Sequence, residues 1–275
     1  MEGGLRVLPE LPEVEVLREK LENLLKGRRI VDVEVYDSSR ISGLNPASLR
    51  GEVVLGVGRR GKHLYIELSS GDKLVFHLRL NGRLVYGHDN DDLQNPWIKI
   101  DFDTGRSLFF GDVRRMATLD CVRDLSGIGA IADMGPEPFD SAFSLEYFKE
   151  KLTKSGKSIK ALLMDQSFVA GIGNIYADEI LYRAGIHPER RANKLSASEM
   201  EKLYISIKDI LREAIEHKGV GKYTSLSPED KDVGNFENSL RVHGREGEPC
   251  LRCRAKIARI KIGGRGTYFC PKCQA

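Results

Sequence analysis

Apolar positions change their spacing twice along the chain. Val14, Leu17, Leu21 and Leu24 recur every three or four residues, the period of a helix with one buried face, and Gly27 is a natural stop. Pro12 suits the first turn of that helix, and Glu10 and Glu13 lie near its start, where the helix dipole favours carboxylates. From Ile30 to about Val122 the pattern falls to alternation. Ile30–Tyr36, Leu64–Leu68, Leu74–Leu78, Trp97–Phe102 and Ser107–Phe110 each read as a strand, and turns such as Ser70-Gly71, Asn81-Gly82 and Asp103-Thr-Gly105 separate them. Short strands at this spacing predict a β-sandwich or barrel.

Gly135-Pro-Glu-Pro138 reads as a linker, beyond which helical spacing returns. Ser144 caps a helix through about Leu152, Lys160–Met164 opens a second, and Gly171-Ile-Gly-Asn174 leads into a third that stops at Gly185. Ser196-Ala-Ser-Glu199 is a capping box for a long helix with Leu203, Ile207, Ile210, Leu211 and Ala214 on one face, ended by Gly219. Residues 220–240 lack periodicity, a loop length that marks a disordered segment or a functional lid. The fold class is α+β and multidomain, with a leading helix and β-sandwich over 9–134, a helical domain over 139–238, and a C-terminal module over 239–275.

That module carries the sharpest chemistry. Cys250-Leu-Arg-Cys253 and Cys270-Pro-Lys-Cys273 are separated by sixteen residues, the pattern of one tetrahedral zinc held by four thiolates. The residues between them alternate apolar with basic and turn at Gly263-Gly264-Arg265-Gly266, so they read as a hairpin. From Leu251 to Tyr268 there are six Lys or Arg and no Asp or Glu. A metal-pinned hairpin with Arg265 at its tip is suited to meet a phosphate, which points to nucleic acid.

Composition narrows the classes. At 275 residues, 41% hydrophobic and 30% charged, the chain has the make-up of a soluble globular protein, and no apolar run approaches a membrane span. The formal net charge is only +3, so a nucleic-acid face must arise from local clusters such as Arg59-Arg60-Gly61-Lys62, although such clusters are usually solvated faces. Four of five cysteines go to the zinc site, which fits a cytoplasmic protein, and Cys121 reads as a small core residue.

Pro9-Glu-Leu-Pro-Glu-Val-Glu15, the β-rich half, Lys160-Ala-Leu-Leu-Met-Asp-Gln166, Gly171–Pro188 and Gly264–Gln274 occur in this order, and together they resemble the formamidopyrimidine-DNA glycosylases, the Fpg/MutM branch of the Fpg/Nei superfamily. The resemblance runs from Leu8 to Gln274. It implies an N-terminal β-sandwich, a helix–two-turn–helix domain and a zinc finger, with damaged double-stranded DNA between them. It also implies a monomer, excision of oxidised purines such as 8-oxoguanine and formamidopyrimidines, and strand cleavage at the abasic site after the nucleotide is flipped out.

By the same resemblance Pro9 is the nucleophilic amine, Glu10 its acid/base, and Lys62 a lysine that assists base excision and elimination. Arg265, Lys160 and Asn174 grip phosphate, with Arg265 also tied to the second elimination. Physical chemistry supports an α-amine. With a pKa near ~8 about a tenth of it is neutral at pH 7, against roughly one part in 2,500 of an ordinary lysine, a gap of about 3 kcal/mol. Within a peptide bond, however, the Pro9 nitrogen is an amide and cannot attack. Leu8 stands where the family's initiator Met is found, so the expectation is a start misassigned upstream, with Pro9 freed in the native protein.

Other departures bear on recognition. The family fills the hole left by the flipped nucleotide with Met, Arg and Phe; the matching residues here are Leu80, Arg114 and Met116. Asn95 replaces a phosphate-contacting His, and Val113 a Pro. Two rival readings follow: a duplex-binding protein that keeps the clamp without the amine, and a glycosylase turned toward oxidised pyrimidines or hydantoins. Met116 cannot probe a base stack as a flat ring does. Discrimination of the base opposite the lesion is therefore expected to be weaker or shifted. Excision rates opposite each of the four bases check this, and the selectivity of an ordinary family member would contradict it.

Overall fold

The structure, a computed structural model, describes residues 9–88, 93, 95–227 and 230–275. Leu8 and the residues before it, on which the expectation of a later start rests, lie outside the described residues. The chain divides into two compact units: among the described residues, one takes those from 9 to 132 with Lys218–Asn235, the other Asp133–His217 with Phe236–Ala275.

The first unit is a helix-led β-sandwich. Helix α1 (Leu11–Leu25) buries Val14, Leu17 and Leu21 as its spacing predicts, while Leu11 and Leu25 join them and Leu24 is only partly buried. The strands are β1 (Ile30–Val35), β2 (Ile41–Ser42), β3 (Val54–Arg60), β4 (His63–Leu68), β5 (Lys73–His77), β6 (Arg83–Gly87), β7 (Ile98–Phe102), β8 (Ser107–Gly111) and β9 (Thr118–Val122). Short helices α2 (Pro46–Leu49) and α3 (Gly129–Ala132) lie between and after them. One sheet has the order β1-β7-β8-β6 and the other β2-β9-β5-β4-β3. All pairs are antiparallel except β2 with β9. A single apolar cluster joins them, with Ile98, Ile100 and Phe110 from one sheet, Leu64, Ile66 and Phe76 from the other, and Val14, Leu17 and Leu21 from α1. Phe76 meets Phe110 edge-on across the sandwich, ring centres 5.1 Å apart. Cys121 is half-buried against this cluster.

Strands β2, β3, β6 and β9 are not among those that alternation predicts. Strand β6, like β8, is buried on both faces, so it shows no period of two. Strand β3 carries Gly56 and Gly58 where a pattern would need side chains. Gly58 pairs with Tyr65 of β4, and a Cβ there would fall 2.1 Å from the Tyr65 ring. The glycine makes room for the tyrosine.

Lys218–Asn235 packs on this β unit, although sequence order places it after the helices. Its described residues are neither helix nor strand beyond one 3-10 turn, Gly221–Thr224. Lys20 of α1 holds it through the Thr224 carbonyl at 2.9 Å and Asp230 at 2.8 Å, and the Tyr86 N–H donates to the Leu226 carbonyl.

The second unit contains α4 (Leu145–Thr153), α5 (Ile159–Leu163), α6 (Asn174–Ala184), α7 (Ala197–Glu216) and the hairpin β10 (Ala258–Ile262) with β11 (Arg265–Phe269). Helix α6 is buried at every position from Ile175 to Tyr182, so the other elements are arranged around it. Phe143, Phe148, Phe168 and Tyr204 form an aromatic cluster between α4 and α7. The capping box at Ser196 and the left-handed Gly185 stop are both present. Among the described residues no helix is long and apolar enough to cross a membrane.

Gly58→Ala is expected to destabilise the β unit by about 1–3 kcal/mol, because the methyl group must displace the Tyr65 ring. Urea unfolding checks this: the loss should shrink when Tyr65→Leu is added, and an unchanged loss in the double variant would contradict it.

Candidate active site

In the β unit the expected catalytic residues gather at the first turn of α1 and at one hairpin packed beside it. Pro9 and Glu10 are buried immediately before the helix, Glu10 in extended backbone. Glu10 is the N-cap, and its N–H donates to Glu13 Oε2 at 2.9 Å. The other oxygen of Glu13 accepts from the Val220 N–H at 2.9 Å. Glu13 is wholly buried, so one carboxylate ties the start of α1 to the 218–235 segment. Gly219 leaves the room this needs, since a Cβ there would lie 2.7 Å from Glu13 Oε1.

Lys62 is the second residue of the two-residue turn between β3 and β4, in which Arg60 pairs with His63. Gly61 takes φ +56°, as the first central position of a type II′ hairpin turn requires. Helix α1 packs against β3 and β4, which brings this turn to the helix that Pro9 and Glu10 begin. Behind Lys62, His63 and His77 face each other across β4 and β5 with ring centres 4.0 Å apart. Burial, with the positive charges of Arg79 and Lys62, pulls His63 down to about 4 despite its hydrogen bond to the Arg60 backbone. Burial, then the His63 neighbour and the same cations, pulls His77 down to about 2. Both rings are therefore neutral at neutral pH.

Leu80, Arg114 and Met116 lie on two adjoining turns. Leu80 sits half-buried between β5 and β6, while Arg114 and Met116 are exposed between β8 and β9. Asp112 shapes the second turn: its buried carboxylate accepts the N–H groups of Arg114, Met116 and Ala117 at 2.8–2.9 Å. Asn81 joins the turns, its amide donating to the Leu80 carbonyl and accepting from Arg114 Nε at 2.8 Å in the orientation that satisfies both. Gly82 allows the approach, because a Cβ would fall 2.8 Å from that of Ala117. Asn95, exposed at φ +57°, lines a groove of about 700 Å³ with Tyr36, Trp97 and Arg115 on the same unit.

The remaining residues belong to the helical unit. Gln166 shapes the glycine turn before α6, accepting from Gly171 N at 2.9 Å and donating to the Ile172 carbonyl at 2.9 Å. Asn174 is the first residue of α6 and donates to the Gly266 carbonyl at 3.1 Å. Lys160 Nζ reaches the same carbonyl at 3.2 Å and Thr267 Oγ1 at 2.8 Å. Lys160, which the resemblance gives as a phosphate-gripping residue, is fully buried, and its ammonium lies 2.6 Å from Asp178 Oδ1. Inside the unit the pair has its charges matched, at the cost of two desolvations. The two side chains therefore fasten the hairpin tip, where Gly263 and Gly264 at φ +55° and +78° leave Arg265 exposed. Lys160, Met164, Gly263 and Arg265 are among the residues lining a hollow of about 260 Å³.

The four cysteines converge. Their sulfurs lie within 4.8 Å of one another, with Cys250–Cys273 at 3.9 Å and Cys253–Cys270 at 3.4 Å. A tetrahedron with ~2.3 Å Zn–S bonds has edges of about 3.8 Å, so these four residues fit one zinc ion. The Tyr182 hydroxyl sits 3.2 Å from Cys250 Sγ, and Arg252 stacks over the Tyr182 ring. Glu179, buried in α6, accepts the N–H groups of Arg241, Val242 and His243, each at 2.9 Å. Burial and the neighbouring Asp178 charge hold its carboxyl above the usual range despite those three donors.

The roles of Asp112, Gln166 and Glu179 went unread in the sequence, where Glu13 figures only as a carboxylate near the helix start and Asn81 only as part of a turn. The spacing of Glu13, three residues after Glu10 as in a capping box, is the signal that could have found it.

A helix-led sandwich, a helical unit with a basic hairpin, and a four-cysteine zinc site define a multidomain zinc-finger protein equipped to bind DNA. Family models match three stretches: the formamidopyrimidine-DNA glycosylase N-terminal domain over residues 8–119, its H2TH domain over 134–225, and the zinc finger found in FPG and IleRS over 247–275. A formamidopyrimidine-DNA glycosylase of Pelotomaculum thermopropionicum is 41% identical, across 97% of this chain and 99% of its own. That of Desulforamulus reducens is 40% identical with the same coverage. Among solved structures, Lactococcus lactis Fpg in complex with abasic-site DNA matches with a TM-score of 0.88 and 36% identity, over 97% of this chain and 99% of that one. The MutM (Fpg) protein from Thermus thermophilus matches with a TM-score of 0.86 and 38% identity, over 97% and 98% of the two chains. The chain belongs to the formamidopyrimidine-DNA glycosylase family, and its cysteine cluster is the structural zinc site of that family's finger.

The histidine pair makes stability pH-dependent. Unfolded imidazoles take protons as pH falls through about 6.5, whereas the folded pair resists protonation until about 4 or below. Stability is thus complete above about pH 6.5 and falls below it, by about 2 kcal/mol per histidine at pH 5. His77→Phe is expected to remove about half of this decline. Unfolding free energies measured from pH 7 to pH 5 check it, and an unchanged slope would contradict it.

Proposed function

We propose that this protein is a bifunctional DNA glycosylase and abasic-site lyase that excises oxidised purines from duplex DNA and then cuts the strand. The observation that carries this reading is the placement of Pro9 and Glu10 at the locked first turn of α1, packed beside the hairpin whose turn holds Lys62. Relatives of this fold have been solved with DNA containing an abasic site or Fapy-dG, which supports a damaged duplex as substrate. The family's N-terminal model begins at residue 8, which supports Pro9 as the first residue of the active form.

In this reading the lone pair of the Pro9 amine attacks C1′ of the flipped nucleotide. The glycosidic bond breaks, and the base leaves with its electrons and gains a proton. Glu10 protonates the ring oxygen, the sugar opens, and a Schiff base to Pro9 results. That iminium acidifies the 2′ proton; its loss expels the 3′ phosphate, and a second elimination expels the 5′ phosphate. Lys62 assists departure of the base. Arg265, on the hairpin tip fastened by Lys160 and Asn174, supports the second elimination by holding phosphate. Leu80, Arg114 and Met116 occupy the place of the extruded nucleotide, and Asn95 lies toward the backbone. One copy of the chain is the working unit, acting on chromosomal DNA in the cytoplasm.

The amide at Pro9 in the 275-residue chain favours a second reading, a lesion-binding clamp without chemistry. The 275-residue chain and a chain beginning at Pro9 are compared on an 8-oxoguanine duplex, with borohydride present. Base release and a covalent adduct from the Pro9 chain alone are expected. Duplex binding without release by either chain would overturn the enzymatic reading in favour of the clamp.

A further inference from the structure

We infer that Arg59 is a positioning residue for Lys62, fixing the lysine turn to the helix that Pro9 and Glu10 begin. Arg59 lies near the end of β3, three residues before Lys62. Its Nε donates to Glu15 Oε2 of α1 at 2.7 Å, and its Nη1 donates to the Gly61 carbonyl at 3.0 Å. One planar guanidinium therefore holds two elements at once, with the geometric stiffness that a fork of N–H groups supplies and an ammonium lacks. The side chain is 9% exposed and that of Glu15 18%, so water screens the pair little.

The anchor itself is held. Arg18 donates to the second oxygen of Glu15 at 2.6 Å, which fixes the carboxylate on the helix surface. Burial alone would raise the Glu15 carboxyl; the hydrogen bonds and charges of Arg59 and Arg18 outweigh it and hold the group below its ordinary value. The buried His63 ring also bonds to the Arg60 backbone. The backbone of Arg60 and Gly61, which leads into Lys62, is thus held by two side chains. Of these two grips, the one made by Arg59 reaches α1.

The inference rests on the proposed role of Lys62 in base excision. If Arg59 acts through Lys62, its loss costs nothing further once Lys62 is gone, which a double-mutant cycle isolates. Single-turnover excision from an 8-oxoguanine duplex is measured for the chain beginning at Pro9 and for its Arg59→Ala, Glu15→Gln, Lys62→Ala and combined variants. Arg59→Ala is expected to slow excision by about ten- to a hundredfold, the scale of a misplacement near 1 Å. Glu15→Gln should act in the same direction, and Arg59→Lys, which keeps the charge without the fork, should recover only part of the rate. In the Lys62→Ala background Arg59→Ala should cost less than about twofold. If Lys62→Ala is slow but Arg59→Ala slows both backgrounds equally, the positioning role is overturned while the role of Lys62 stands. If Lys62→Ala excises at the parent rate, the role of Lys62 fails and the inference falls with it.

Discussion

The β unit depends on one buried carboxylate. Glu13 accepts the Glu10 N–H with one oxygen and the Val220 N–H with the other, so the start of α1 and the segment that returns from the far end of the chain are set by the same group. A buried carboxylate is costly unless it is hydrogen-bonded, and here one backbone donor reaches each oxygen. The first turn of a helix is otherwise where fraying begins. Here it is tied down by these bonds, and the residues proposed to do the chemistry lie immediately before it. The Glu15–Arg59 contact, a turn further along, carries that restraint to the hairpin that presents Lys62.

The helical unit solves a related problem with the opposite charge. A basic hairpin tip repels itself and is built on glycines that favour no particular conformation. Lys160 and Asn174 both bond to the Gly266 carbonyl, and Asp178 balances the buried ammonium, so the tip is held from behind by uncharged and paired groups. At the other end of the same hairpin, a zinc ion held by the four cysteines would fix β11 through Cys270, which follows it directly. Arg265 stays exposed, and a phosphate would not have to compete with an internal partner for the hairpin's shape.

Much of this was legible in the sequence, for physical reasons that also explain what was not. Helix α1 and α7 announce themselves because each buries one face, and the zinc site because thiolate geometry demands paired knuckles. Strand β6 is buried on both faces and β3 is thinned by glycines that admit Tyr65, so neither shows a period of two. Lys160 reads locally as the opening of a helix and by resemblance as a cation that grips phosphate; only Asp178, on a different helix, reveals that it is internal. Asp112 and Asn81 act through backbone groups and a neighbouring turn, contacts that leave no spacing to read. The described part of 218–235 has no periodicity because it is held by Lys20, Tyr86 and Glu13, far away in sequence.

The chemistry turns on which nitrogen bonds to the sugar. Reductive trapping of the Pro9-initiated chain on an 8-oxoguanine duplex, followed by nuclease and protease digestion and mass mapping of the adduct, identifies that nitrogen directly. The adduct is predicted on the α-amine of the peptide beginning Pro9-Glu10. An adduct on Lys62 or another lysine would contradict the claim that the locked start of α1 presents the nucleophile.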